Sequence, residues 1–154
     1  MDVPSLLVVE PRSDAKDTLT KWLVENGYTT TSVWHPRQAL EAATIRSFDV
    51  AILDAELPEM TGLQLANRLK ALAFDLRVVL LSSQPDKPSV IEALSFGVDG
   101  LVQLPCHPRE IEFAVNRVLD QGDRVRGRTH LARLGHGTAP TTDAMDSLHA
   151  AAQR

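Results

Sequence analysis

Phe48-Asp49-Val50-Ala51-Ile52-Leu53-Asp54-Ala55-Glu56-Leu57-Pro58-Glu59-Met60-Thr61-Gly62-Leu63 is the stretch on which the reading of this chain turns. Its apolar residues up to 53 form a short run that stops at an acid, which reads as a strand buried on both faces. Pro58 and Gly62 then mark a turn. Leu65, Leu69 and Leu72 recur at helical spacing, which predicts a helix over about 61–72 that buries all three. A carboxylate at a strand end, a loop and a helix are the local outcome.

The same alternation extends in both directions. Residues 5–9 are a nearly continuous apolar run that ends at Glu10-Pro11, and Ala15, Leu19, Trp22 and Leu23 follow with the stripe of an amphipathic helix stopped by Gly27. A strand over 28–33 precedes a helix opened by Pro36 and carrying Leu40 and Ala43. Proline suits a first helical turn, because its missing N–H would be unpaired there anyway. After residue 72 come a strand over 77–81, a helix opened by Pro88 with Val90, Ile91 and Leu94, and a strand over 100–104. The last helix starts at Pro108 and carries Ile111, Ala114, Val115 and Val118.

Five strands alternating with five helices imply an α/β fold: a doubly wound, five-stranded parallel sheet of flavodoxin-like (βα)5 form, with helices on both faces. Ligands of such sheets sit at the carboxyl ends of the strands. Glu10, Asp54 and Ser82 stand at those ends.

Composition narrows the function classes. The 154 residues carry a net charge of −4, divided as 11 Lys/Arg against 17 Asp/Glu over 1–120 and 5 against 3 over 121–154. An acidic body argues against a nucleic-acid surface on the domain itself. The apolar runs are too short for a membrane span, and the start lacks the basic residues and long apolar stretch of a signal peptide, so a cytoplasmic protein is expected. Cys106 is alone and can form no internal disulfide; we expect it to fill space in the core. The five His residues show no zinc-like pairing and are expected on the surface or at helix caps. Residues 1–120 read as one domain. Residues 121–154, with four Gly and five Arg, read as a linker-like tail, with room for a short helix over 143–153.

Over roughly residues 5–120 the chain resembles the receiver domains of bacterial two-component signalling, and Asp54, Pro58, Met60, Gly62 and Leu63 carry the resemblance most strongly. The resemblance implies that Asp54 is the phosphoacceptor, that Ser82 hydrogen-bonds the phosphoryl group, and that Pro105 follows a cis peptide. A carboxylate so placed can attack phosphorus in line and form an acyl phosphate. The phosphoryl oxygens must then be neutralised by cations. In the family a Mg²⁺ ion held by acidic residues and a Lys do this.

Here the sequence departs from the pattern. The acidic pair after the first strand is reduced to Glu10, with Pro11 in the second place. Leu104 stands where the Lys would be, and Leu101 where the switch aromatic would be. Glu10, Asp54 and the backbone carbonyl of Glu56 could form only a weak Mg²⁺ site, since that ion demands near-octahedral oxygen ligands. Counted as Glu10, Asp54 and Mg²⁺, the formal charge is still zero, so charge alone does not exclude the metal. Lys87, at the start of the fourth helix, is the one cation considered as a replacement for the missing Lys, although a Lys there is ordinarily solvated.

Two functions follow. In one, the chain is a receiver that accepts a phosphoryl group on Asp54 from a histidine kinase or phosphotransfer protein. In the other, it is a pseudo-receiver that binds proteins without phosphate. No independent enzyme is expected, only slow self-dephosphorylation. The resemblance places a protein target or a homodimer contact on the face of the fourth helix, fifth strand and fifth helix, and Phe113 lies off the apolar stripe as an exposed contact. Glu10 has an alternative role at the start of the first helix, where an acid suits the positive end of the dipole.

Overall fold

The computed structural model describes residues 3–95 and 97–135, with backbone only at 93, 94 and 122–135. In chain order the elements are β1 Ser5–Val9, α1 Asp14–Glu25, β2 Thr29–Val33, α2 Pro36–Ile45, β3 Val50–Asp54, α3 Gly62–Leu72, β4 Arg77–Ser82, α4 Pro88–Ser95, β5 Gly100–Gln103 and α5 Pro108–Gly135. All strand pairs are parallel and the order is β2-β1-β3-β4-β5. The order reverses between β1 and β3, so the crevice for a ligand opens beside the carboxyl ends of these two strands.

Alternation along the strands divides the core in two. On one face, Leu7, Val9, Ala51, Leu53, Val78 and Leu80 pack with Ala39 of α2, Leu65 and Leu69 of α3, and Val90 of α4. On the other, Leu6, Val8, Ile52, Val79 and Leu81 pack with Leu19 and Leu23 of α1 and with Ile111, Ala114, Val115 and Val118 of α5. The fold expected from the alternating elements is the fold observed.

Local departures are informative. In α1 the buried residues are Lys16, Leu19 and Leu23, while Ala15 is exposed, so the stripe lies one position from the expected start. Both 15 and 16 are at helical spacing from Leu19. An ammonium is costly to bury, which makes Ala15 the expected inward residue, and here the Val33 carbonyl offsets that cost for Lys16. In α3 the stripe is Gly62, Leu65, Ala66 and Leu69, and Leu72, expected inside, is half exposed in the last turn. Ile91 likewise faces out from α4, and the side chain of Leu94 lies outside the described residues.

The backbone of 121–135, expected as linker, continues α5 to Gly135. Gly122 and Gly127 each cost about 1 kcal/mol relative to Ala, but the helix is already nucleated by its packed half and meets no proline before 140. The short helix expected over 143–153 falls outside the described residues.

Candidate functional site

Each strand end delivers its residue for a local reason. Thr61 caps α3 in a reciprocal box with Gln64, and Gly62 N–H donates to the Ala55 carbonyl at 2.9 Å, which folds the 55–61 loop back over the end of β3. Gly62 is required there by close approach: a Cβ would overlap the Asp54 carbonyl and lie 2.8 Å from Leu80 Cδ1. Within this loop Glu59 adopts φ 68°, and its carboxylate lies 3.2 Å from His35 Nε2 at the start of α2.

Asp54 is half-buried, and its Oδ1 accepts from Glu56 N–H at 2.8 Å. Its other carboxylate oxygen has no hydrogen bond among the described residues. Burial raises its pKa, the Glu56 N–H lowers it, and the Glu56 charge raises it again. Ser82, buried at the end of β4, accepts from Gln84 N–H at 3.0 Å and keeps its own O–H to donate. A cavity of about 310 Å³ opens beside Ser82, lined among others by Ala55, Glu56, Leu80, Lys87, Ser89 and Val90; Asp54 itself does not line it. Lys87 therefore lies on the wall that Ser82 shares.

The opposite flank was only partly anticipated. Glu10 is 7% exposed, and its Oε1 has no hydrogen-bond partner. It does not begin α1, whose N-cap is Ser13 and whose first-turn acids are Asp14 and Asp17. Burial pushes its carboxyl up to about 7; the charge of Asp54 adds to the rise and Lys16 opposes it.

Lys16, 4% exposed, donates to the Val33 carbonyl at 2.6 Å, and the same carbonyl accepts Glu10 N–H at 3.3 Å. Burial lowers the Lys16 pKa, whereas Glu10 and Asp17 raise it and Arg12 lowers it. The Arg12 guanidinium sits 3.8 Å over the Trp34 ring, with Lys16 Nζ 5.8 Å from the same ring. Sequence reading missed Lys16, Arg12 and Trp34 as neighbours of the site. The signal for Lys16 was present, since residue 16 is three before Leu19 and seven before Leu23.

Leu104 and Leu101 are built into the fold. Leu104 packs on the core cluster between α1 and α5, its N–H bonded to the Ser82 carbonyl at 2.8 Å, and Leu101 packs on the opposite cluster. The peptide between Leu104 and Pro105 is cis, as expected. Cys106 is half-buried against the same cluster as Leu104. His35 and His107 cap their helices, each Nδ1 accepting a backbone N–H at 3.0 Å.

The donor set does not fit Mg²⁺. Glu10 and Asp54 stand at the strand ends with Glu56 in the loop beyond, Pro11 offers no carboxylate, and among the described residues no group of three His, Cys, Asp or Glu could hold a metal ion.

Comparison with known proteins agrees with the fold. Residues 6–116 match the family model described as the response regulator receiver domain. The response regulator SaeR of Staphylococcus epidermidis is 27% identical over 114 residues, which are 74% of this chain and 49% of the relative. SaeR of Staphylococcus aureus is 26% identical over 74% of this chain and 50% of its own length. This chain thus spans about half the length of these curated relatives. Among solved structures, a CheY-like receiver domain from Methanospirillum hungatei JF-1 superposes with a TM-score of 0.75 at 20% identity, covering 80% of this chain and 98% of the other. The signal receiver domain of an HD domain-containing protein from Pseudomonas fluorescens Pf-5 gives 0.74 at 25% identity, covering 82% and 93%.

Proposed function

Because the chain belongs to the response regulator receiver family of two-component signalling, we propose that it receives a phosphoryl group on Asp54 from the phosphohistidine of a histidine kinase or phosphotransfer protein. The observation that carries this reading is the Asp54 carboxylate itself. One oxygen is held by the Glu56 N–H and the other is free of hydrogen bonds among the described residues, while the cavity that Ser82 and Lys87 line starts at Ala55 and Glu56, the next residues of the chain.

The free oxygen attacks phosphorus in line. The P–N bond breaks, its electron pair leaves with the imidazole nitrogen, and an acyl phosphate forms on Asp54. Ser82 donates its O–H to a phosphoryl oxygen, and Lys87 supplies positive charge from the cavity wall. Receiver domains typically bind Mg²⁺ in the phosphorylation site, but no step here is assigned to it, because the residues present do not fit the ion. Receiver domains are in general signalling modules rather than enzymes, and slow self-dephosphorylation is the only catalysis proposed.

Output through protein contact belongs to the same proposal. A groove of about 490 Å³ between β5 and α5 is lined by Leu101, Arg109, Phe113 and Arg117 among others, and Phe113 is 68% exposed. It is the face on which a target or a second copy would dock. Residues 1–120 form the receiver unit in this reading. Among the described residues no helix is long and apolar enough to cross a membrane; a cytoplasmic location is proposed with the function.

One observation favours the second reading, a phosphate-independent binding module. Leu104, partly buried, packs against the core where the family Lys would respond to phosphate. Incubation with a small phosphodonor or with a kinase, followed by intact-mass measurement, separates the two. The expected result is a single phosphoryl adduct that disappears in Asp54→Ala. If neither donor gives an adduct, the phosphoacceptor reading fails and the binding module stands.

A further inference from the structure

We propose that the cavity between α1 and the start of α5 binds a primary alkylammonium group, carried by a small amine or by a partner's lysine, with Glu10 as its counter-charge. This goes beyond the phosphoacceptor reading and does not depend on it: the cavity beside Ser82 is lined neither by Glu10 nor by any residue of α1 or α5.

The second cavity has a volume of about 260 Å³ and is lined by Glu10, Thr18, Leu19, Leu104, Cys106 and Ile111 among others. Glu10 is the charged side chain on an otherwise mostly apolar wall. It is 7% exposed, and its Oε1 has no hydrogen bond among the described residues. A buried carboxylate without a donor is destabilising, and a ligand that supplies the donor recovers that cost. The Cys106 thiol, on the same cavity, is raised by burial, then by the charge of Glu110 and then by that of Glu10, so the Glu10 carboxyl lies within electrostatic reach of it. Lys16 does not meet the need. Its ammonium is bonded to the Val33 carbonyl of β2, which lies on the opposite side of β1 from β5.

The lining selects the chemistry of the ligand. Thr18 donates its hydroxyl proton to the Asp14 carbonyl at 2.8 Å, which leaves its oxygen free to accept. An ionised Glu10 can only accept. These two groups call for a donor, and the charge of Glu10 calls for a cation. Leu19, Leu104 and Ile111 call for an apolar chain behind it. A primary alkylammonium has both parts, with three N–H donors on a compact head. A hydrated inorganic cation has no apolar part to place against the leucines, and an anion would meet Glu10 as a like charge. The volume suits a side chain or a small molecule, not a folded element.

The test is a titration of the full chain with n-butylammonium chloride at constant ionic strength, followed by the amide resonances of Thr18, Leu104 and Cys106. It is run at pH 8, above the value of about 7 to which the Glu10 carboxyl is pushed. Wild type is expected to show saturable shifts in the millimolar range. Glu10→Gln should weaken binding by at least about tenfold, and n-butanol, the same chain without the charge, should bind wild type more weakly by a similar factor. Nα-acetyl-lysine methylamide distinguishes the sources: tighter Glu10-dependent binding than butylammonium assigns the group to a partner's lysine, and weaker binding assigns it to a small amine. The absence of saturable shifts with butylammonium would overturn the proposal. Butanol binding as tightly, or unchanged affinity in Glu10→Gln, would overturn it too, and the butanol comparison needs no variant. Because no readout uses phosphorylation, a missing Asp54 adduct and a positive amine titration remain separate results.

Discussion

The two flanks of the sheet's carboxyl edge are built in opposite ways. On the β3–β4 flank, Asp54 and Ser82 end adjacent strands beside the Gly62 turn, and a cavity next to Ser82 carries Lys87 on its wall. On the β1–β5 flank, Pro11 and Leu104 have removed an acid and a cation, and a buried Glu10 stands near a buried Lys16 under Trp34 and Arg12. The attacking group and its hydroxyl partner depend on backbone geometry, which one substitution ruins. Charge compensation depends only on having a cation nearby, and more than one position can supply it.

Breaking the first flank should have the largest effect. Gly62→Ala would gain up to about 1 kcal/mol of helix propensity at the start of α3. The new Cβ, however, overlaps the Asp54 carbonyl and crowds Leu80 Cδ1 and Ala55 Cα, the latter at 3.0 Å, and two of these neighbours are backbone. Over-packing of that kind costs about 3 kcal/mol, so the clash wins. Urea unfolding should show a net loss of about 2 kcal/mol or more. A variant as stable as wild type would mean that the loop yields easily and that Gly62 is not what positions Asp54.

The second flank is tested by pH. Glu10 titrates near 7 in the folded chain against 4.5 for the ordinary group, so between these values the folded state holds a proton that the unfolded state has released. Stability therefore falls as pH rises through this window, by up to about 3 kcal/mol from this group. Glu10→Gln removes the charge at nearly constant size. It should be more stable than wild type by about 2 kcal/mol at pH 8, with a buried amide taking back part of the gain, and no more stable at pH 5. The raised Asp54 contributes a trend of the same sign to both proteins, and because its charge also raises Glu10, the difference reads Glu10 together with that coupling. Parallel pH profiles for the two proteins would show that Glu10 is not held in a charge-averse pocket.

How far the sequence disclosed all this depends on what kind of feature is asked about. Apolar runs ending at Glu10, Asp54 and Ser82 fix strand ends, because strands buried on both faces need continuous apolar residues. The α5 stripe of Ile111, Ala114, Val115 and Val118 was equally legible, since a single helix face is decided by spacing. Lys16 was not legible, because hydropathy places a lysine in water, and its hydrogen-bond partner, the Val33 carbonyl, comes from β2. The continuation of α5 past 121 was obscured by Gly122 and Gly127, whose propensity cost is local while helix propagation is cooperative. Lys87 was named as a cation, but only the cavity puts it on a wall with Ser82.

That placement gives the smallest of the expected effects, and the one that most sharpens the contrast between the flanks. Lys87 is exposed, so its attraction for a phosphoryl oxygen is screened and lies near the low end of the range for charges a few ångströms apart. An ammonium that moves in during transfer and contributes about 1.4 kcal/mol to the transition state changes the rate tenfold. Lys87→Ala should therefore slow Asp54 phosphorylation by a small phosphodonor by about tenfold, with stability within about 0.5 kcal/mol of wild type. Lys87→Arg, which keeps the charge, should retain most of the rate. The measurement is adduct formation over time by intact mass, at two ionic strengths, because a screened interaction weakens further with salt. If Lys87→Ala reacts as fast as wild type, the cavity contributes room but no charge. Among the described residues, Lys16 and Arg12 on the opposite flank would then be the cations left to compensate the phosphoryl group, on the side that has lost its family residues.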